Sequence, residues 1–251
     1  MARLHTETVG EPGGARVVLV HGFTQTGRCW GPIDAALAAT HEVVLVDAPG
    51  HGGSAMVDVP FEEAATLVGE AGGRGAYVGY SMGGRLALAL AVDRPDLVDR
   101  LVLVGASPGL ADPAERAARR QADERLAGRL EAIGVPAFLD EWLAQPLFAG
   151  LSPAAAHRDE RLANTAAGLA SSLRRCGTGA QRALWDDLGT LAMPVLVVVG
   201  GDDAKFGQIA DAMAAAIGPN ATVVHIPGAG HTAHLEQPDR FLAALEPFLR
   251  T

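Results

Sequence analysis

The chain has 251 residues, 49% of them hydrophobic and 20% charged, with 29 acidic against 20 basic side chains for a net charge of −9. That length and apolar content can fill one large core without a staple, and the acidic balance argues against nucleic acid and anionic membrane as partners. Cys29 and Cys176 lie far apart with no metal-ligand spacing around either, which excludes a disulfide scaffold or zinc module as the organising principle. The start, MARLHTETVGEPGG, lacks the basic segment and apolar run of a secretory signal. No apolar run reaches the roughly 18 residues of a membrane span. A cytoplasmic protein without membrane insertion is therefore expected.

Short β-branched runs alternate with alanine-rich stretches, the pattern of parallel strands joined by crossover helices. In chain order the strands are RVVLV (16–20), EVVLV (42–46), AYVGY (76–80), RLVLVG (100–105), PVLVVVG (194–200) and TVVHI (222–226). They are almost continuously apolar, as strands covered on both faces must be. Helices are expected over residues 61–70, 82–92, 208–217 and 239–249. The alternation breaks over residues 107–190, which hold amphipathic stretches such as DPAERAARRQADERLAGRLEAI, with Pro113 and Pro136 where a first helical turn tolerates proline. The reading is an α/β core formed by residues 1–106 and 191–251, with a helical cap inserted at 107–190. The insertion carries 10 arginines and 11 acids, so it is much less acidic than the rest, and a site between it and the sheet would favour an anionic ligand.

Four strand ends carry candidate chemistry. Gly79-Tyr80-Ser81-Met82-Gly83 joins the third strand to the helix that follows it, a GxSxG sequence whose glycines suit a sharp turn presenting Ser81. A serine hydroxyl needs an imidazole within reach and a carboxylate to orient it. Asp203 in Gly200-Gly201-Asp202-Asp203 has the better offset from its strand than Asp202, and His231 in PGAGHTAHLEQP follows a glycine in a tight loop. His234 reads as a surface or packing residue, and His225 as a structural strand residue. His21-Gly22-Phe23 follows the first strand, and the backbone N–H groups of Phe23 and Met82 are the candidate oxyanion donors, His21 being read as a turn-stabilising residue. In Asp47-Ala48-Pro49-Gly50-His51-Gly52-Gly53-Ser54, Asp47 and His51 are expected to tie a fixed loop together. Cys29 is expected to be a buried small apolar residue.

Together HGF, DAPGHGGS, GYSMGG, GGDDAKF and GAGH resemble the α/β-hydrolase superfamily over nearly the whole chain. GYSMGGRLAL, ASPGLADPAERAARRQADERLA, FLDEWLAQPLFAGL and GGDDAKF look more narrowly like the 2-succinyl-6-hydroxy-2,4-cyclohexadiene-1-carboxylate synthases of menaquinone biosynthesis. That resemblance implies a serine-triad lyase that eliminates pyruvate from 2-succinyl-5-enolpyruvyl-6-hydroxy-3-cyclohexene-1-carboxylate, with no cofactor or metal. It also implies that Tyr80, Arg85, Arg120, Trp142, Gln145, Arg161 and Lys205 line a pocket for a small, polyanionic substrate. The competing readings are a carboxylic-ester or thioester hydrolase acting through an acyl-enzyme on Ser81, and a ligand-binding protein that keeps the fold. Oligomeric state has no signature in the sequence.

Overall fold

A computed structural model describes residues 2–250. Its centre is a seven-stranded sheet of β1 (Thr6–Gly10), β2 (Ala15–Val20), β3 (His41–Val46), β4 (Gly75–Tyr80), β5 (Val98–Val104), β6 (Val195–Gly200) and β7 (Ala221–Ile226). The spatial order is β1-β3-β2-β4-β5-β6-β7; β1 runs antiparallel to β3 and every other pairing is parallel. All six expected strands form within two residues of their predicted limits. The unexpected β1, TETVG, is an edge strand whose last three residues are exposed, so it lacks the apolar run that marks the inner strands.

Helices cover both faces. On one side α2 (Phe61–Gly72), α3 (Met82–Asp93) and α7 (Ala204–Ile217) bury Leu67, Leu86, Leu88 and Met213 against Val18, Val20, Leu103 and Val197. On the other, α1 (Pro32–Ala38) and α8 (Pro238–Arg250) bury Ile33, Leu37, Phe241 and Leu245 against Leu19, Val78, Val104 and Val198. Two features differ from the expected elements: α1 is a seven-residue helix opened by Pro32, too short to show a periodic pattern, and α7 begins at Ala204, four residues before its expected start.

Between β5 and β6 the chain forms α4 (Pro113–Leu143), α5 (Arg158–Arg161) and α6 (Ala166–Cys176), and no strand. Asp112 caps α4 by accepting from the Ala114 and Glu115 N–H groups, and the helix breaks at Gly134, whose φ of 76° suits glycine, just before Pro136. Leu130, Phe138 and Leu139 of α4 pack on Leu169 and Leu173 of α6, giving these helices a core of their own. No helix among the described residues is long and apolar enough to cross a membrane.

The turn after β4 is closely packed against its neighbours. A Cβ on Gly83 would run into the Val20 and His21 carbonyls, and one on Gly79 would meet the Gly83 and Gly84 backbone. Gly83→Ala should therefore destabilise the protein by about 3 kcal/mol or more, measured by urea unfolding. A variant as stable as the parent would show that α3 can move off β2.

Candidate active site

The carboxyl ends of β2, β4 and β6 and the loop after β7 open into one cavity of about 200 Å³, closed over by α4, α5 and α6. Ser81 occupies the turn from β4 into α3 with φ 49° and ψ −105°, a conformation that costs a side-chain-bearing residue energy. The Ser81 N–H donates to the Val104 carbonyl at 2.8 Å, and the close approach of Gly83 to β2 holds the turn shut. The side chain is thereby pushed into the cavity.

Asp203 follows β6 and caps α7, its Oδ1 accepting from the Phe206 N–H at 3.2 Å. Its Oδ2 lies 3.0 Å from His231 Nδ1, and His231 Nε2 lies 3.3 Å from Ser81 Oγ. Burial opposes ionisation of Asp203, but the hydrogen bonds from His231 and Phe206 outweigh it and hold the carboxyl below its usual range. An ionised Asp203 fixes the tautomer that leaves Nε2 facing the serine. Glu236, which no motif marks, clamps the His231 loop from both sides by accepting from the Gly230 N–H at 2.7 Å, the Thr232 N–H at 3.0 Å and the Thr232 hydroxyl.

The cavity has apolar walls and a cationic lining. Phe23, Met82, Trp142, Leu147, Phe148 and Phe206 supply the walls, and Trp142 packs against Phe23, Phe138 and Phe148 with its indole N–H unpartnered. Arg85, Arg119, Arg161 and Lys205 also line it, and no carboxylate does among the described residues. Arg85 is 8% exposed and donates to the Gln181 side-chain carbonyl at 3.0 Å and the Cys176 carbonyl at 2.8 Å. Burial pushes its guanidinium down to about 10, so it remains charged at neutral pH. Arg161 is 1% exposed and donates to the Ala156 carbonyl at 2.7 Å and to the Thr24 hydroxyl. Neither has an ion-pair partner among the described residues, so each brings uncompensated positive charge to the cavity.

Of the residues singled out in the sequence, Tyr80, Arg85, Trp142, Arg161 and Lys205 line this cavity with Ser81, His231, Phe23 and Met82. Arg120 and Gln145 do not. One residue along a helix turns a side chain by about 100°, which aims Arg119 at the cavity while Arg120 points outward and donates to the Gly179 carbonyl at 3.1 Å. Gln145 precedes a short 3-10 turn, Pro146–Phe148, and it is Leu147 and Phe148 from that turn that reach the cavity. Ser107, Ser172 and Thr178 add hydroxyls that no motif marked.

The chain matches the model of the alpha/beta hydrolase family over residues 17–244. It belongs to the α/β-hydrolase family. Among its relatives is the 2-succinyl-6-hydroxy-2,4-cyclohexadiene-1-carboxylate synthase of Serratia proteamaculans (strain 568), 34% identical over 96% of this chain and 95% of that protein. The protein of the same name from Salmonella schwarzengrund (strain CVM19633) is also 34% identical, over 98% and 99%. Among solved structures, MenH from S. aureus superposes with a TM-score of 0.89 at 31% identity, covering 100% of this chain and 98% of that one. A thermophilic esterase from Thermogutta terrifontis superposes with a TM-score of 0.81 at 27% identity, over 98% and 93%.

The α/β-hydrolase loops around the cavity are tied by buried histidines. His21 lies with Nδ1 2.8 Å from the Gly22 carbonyl and accepts from the Ala48 N–H at 3.1 Å, the turn-stabilising part expected of it. Asp47 and His51 both fix their loop, but through different partners: Asp47 accepts from the Gly27 and Gly53 N–H groups, and His51 Nε2 accepts from the Thr24 N–H. His234 is a packing residue, wedged among Trp30, Tyr80 and Phe241. His225, by contrast, is exposed on the edge strand β7, 3.4 Å from Asp211. Cys29 is buried outside the cavity, whereas Cys176 lines it.

Burial holds His21, His51 and His234 below the ordinary histidine range, His234 at about 3. All three are neutral in the fold, while the unfolded chain takes up protons as pH falls through about 6.5. The stability they contribute is complete above that pH and is lost progressively below it, towards the folded value near 3 for His234. The melting temperature should fall between pH 7 and pH 5, before ordinary carboxylates titrate, and His234→Gln should flatten part of that slope. A melting temperature constant over this window would contradict neutral burial of these rings.

Proposed function

We propose that this protein is a lyase that eliminates pyruvate from 2-succinyl-5-enolpyruvyl-6-hydroxy-3-cyclohexene-1-carboxylate, a step of menaquinone biosynthesis, using Ser81, His231 and Asp203 as its triad. The observation that carries the reading is the cavity beside Ser81, lined by four cations and no carboxylate among the described residues of a chain with net charge −9. The substrate has a carboxylate on the ring, one on the succinyl arm and one on the enolpyruvyl group, and guanidinium groups suit such ligands because they donate in pairs. The curated relatives that carry the synthase name, matching over nearly their full length, support the same assignment.

The chemistry follows from the substrate's connectivity. The hydrogen on ring carbon 2 is acidified by the succinyl ketone on one side and the ring double bond on the other. Ser81 Oγ, its proton drawn to His231 Nε2, removes that hydrogen, and Asp203 stabilises the imidazolium. The electron pair passes through the ring to form double bonds at positions 2 and 4, and the bond from carbon 5 to the enolpyruvyl oxygen breaks. The leaving group takes up the proton that His231 holds and departs as pyruvate. As the hydrogen leaves, negative charge builds on the succinyl oxygen, where the Phe23 and Met82 N–H groups act as oxyanion donors. Arg85, Arg161 and Lys205 hold the carboxylates, and Trp142 and Tyr80 pack the ring. Neither Arg120 nor Gln145 has a part in this scheme, since both lie outside the cavity.

Ester hydrolysis through an acyl-Ser81 is the second reading, and the likeness to the Thermogutta esterase favours it. The two readings ask different things of the cavity: polyanions need the arginines, and short acyl esters do not. Purified protein given freshly prepared substrate should release pyruvate far faster than spontaneous decay, and Ser81→Ala should reduce the rate by about three orders of magnitude or more. Arg85→Gln should raise KM by about tenfold to a hundredfold, the loss of one charge-assisted contact. Release no faster than spontaneous decay, with rapid turnover of short acyl esters, would replace the lyase by a hydrolase.

A further inference from the structure

A second cationic site lies on the outer side of α4, away from the cavity. A hollow of about 360 Å³ is lined by Arg116, Arg120 and Arg182, with Glu62, Pro113, Gln181 and two alanines completing it. Arg116 and Arg120 are four residues apart on α4, so their like charges face one helical surface and repel. Neighbouring arginines of these helices are relieved by carboxylates: Arg119 pairs with Asp123, Arg129 with Glu141, and Arg174 with both Glu124 and Glu131. Arg116 and Arg120 have no ion-pair partner among the described residues; the one contact of Arg120 is the Gly179 carbonyl. Arg182 is already paired with Asp93 and Asp187, and Glu62 supplies a single opposing charge. Three guanidinium groups, two of them without an ion-pair partner among the described residues, therefore face one carboxylate in this hollow.

Gln181 lines the hollow and touches Arg85, which lines the cavity. It is 1% exposed; its Oε1 accepts from Arg85 at 3.0 Å, and its Nε2 has no hydrogen-bond partner. A buried amide donor left unpaired costs energy, and a nearby acceptor would recover it. The outer hollow is thus separated from the carboxylate-binding Arg85 by one side chain.

We propose that the hollow formed by Arg116, Arg120 and Arg182 is a second binding site for a small anion of two or more charges, with Gln181 linking it to Arg85. Its ligand is distinct in place from the substrate, and by linkage, occupancy of either site alters the affinity of the other by the same factor. Titration calorimetry with pyrophosphate, and separately with citrate, tests this without any turnover, so failure of the proposed reaction and failure of this site are read independently. Wild-type protein should show two binding events. Arg85→Gln should remove the cavity event, and Arg116→Gln should weaken the other by about tenfold, as loss of one charge-assisted contact would, with an unchanged melting temperature. Arg116-dependent binding of either anion supports the site and identifies phosphate or carboxylate as its chemistry. Two-anion isotherms of Arg116→Gln that superimpose on those of the wild type overturn it.

Discussion

The strained turn at Ser81 is the constraint on which the remaining structure depends. A side-chain-bearing residue at φ 49° persists only where its surroundings leave no alternative. Here α3 starts so close to β2 that a Cβ at Gly83 would strike backbone, and Gly79 is equally confined. The sheet must therefore place β2 beside β4, which it does, and the same adjacency brings Phe23 and Met82 to one side of the serine. On the other side, beyond β5, the strands β6 and β7 end in the loops that carry Asp203 and His231. Pairing in this strand order, more than any single contact, converts four separate strand ends into one site.

Charge is distributed against the overall trend of the chain. An acidic protein collects four cations around an apolar-walled cavity and screens most of its other arginines with carboxylates on the surface. Burying Arg85 and Arg161 without an acidic partner costs stability, and burial lowers the pKa of both guanidinium groups. Such an arrangement is retained where the missing counter-charge arrives with a ligand. The positive charge facing the cavity comes from Arg85 on α3, from Arg119 and Arg161 on the helices between β5 and β6, and from Lys205 on α7.

Much of the fold was legible because its signals are local. A strand covered on both faces has to be apolar throughout, and a nucleophile turn needs glycine where backbone meets backbone, so β2 to β7 and Gly79 to Gly83 stand out in the sequence. β1 escaped because an edge strand has no such requirement. In the site, Ser81, Asp203 and His231 could be picked by their offsets from strand ends. Arg119 could not be told from Arg120, since the choice depends on the rotational phase of a helix against a cavity that only the folded chain defines. Gln145 was misplaced for a related reason: the turn after α4 delivers Leu147 and Phe148 instead. Glu236 left no trace because its work is to hold backbone N–H groups, which have no sequence signature.

The central claim is that Ser81 and His231 remove a ring hydrogen so that pyruvate leaves by elimination. Pyruvate and the ring diene can be followed together, the first by a coupled assay and the second by its conjugated absorbance. The account predicts that the two appear in equal amounts and at equal rates with the wild-type enzyme, and that both rates fall together in Ser81→Ala. Pyruvate released without the diene would mean that water cleaves the enol ether and the ring hydrogen stays in place, which would contradict the elimination mechanism.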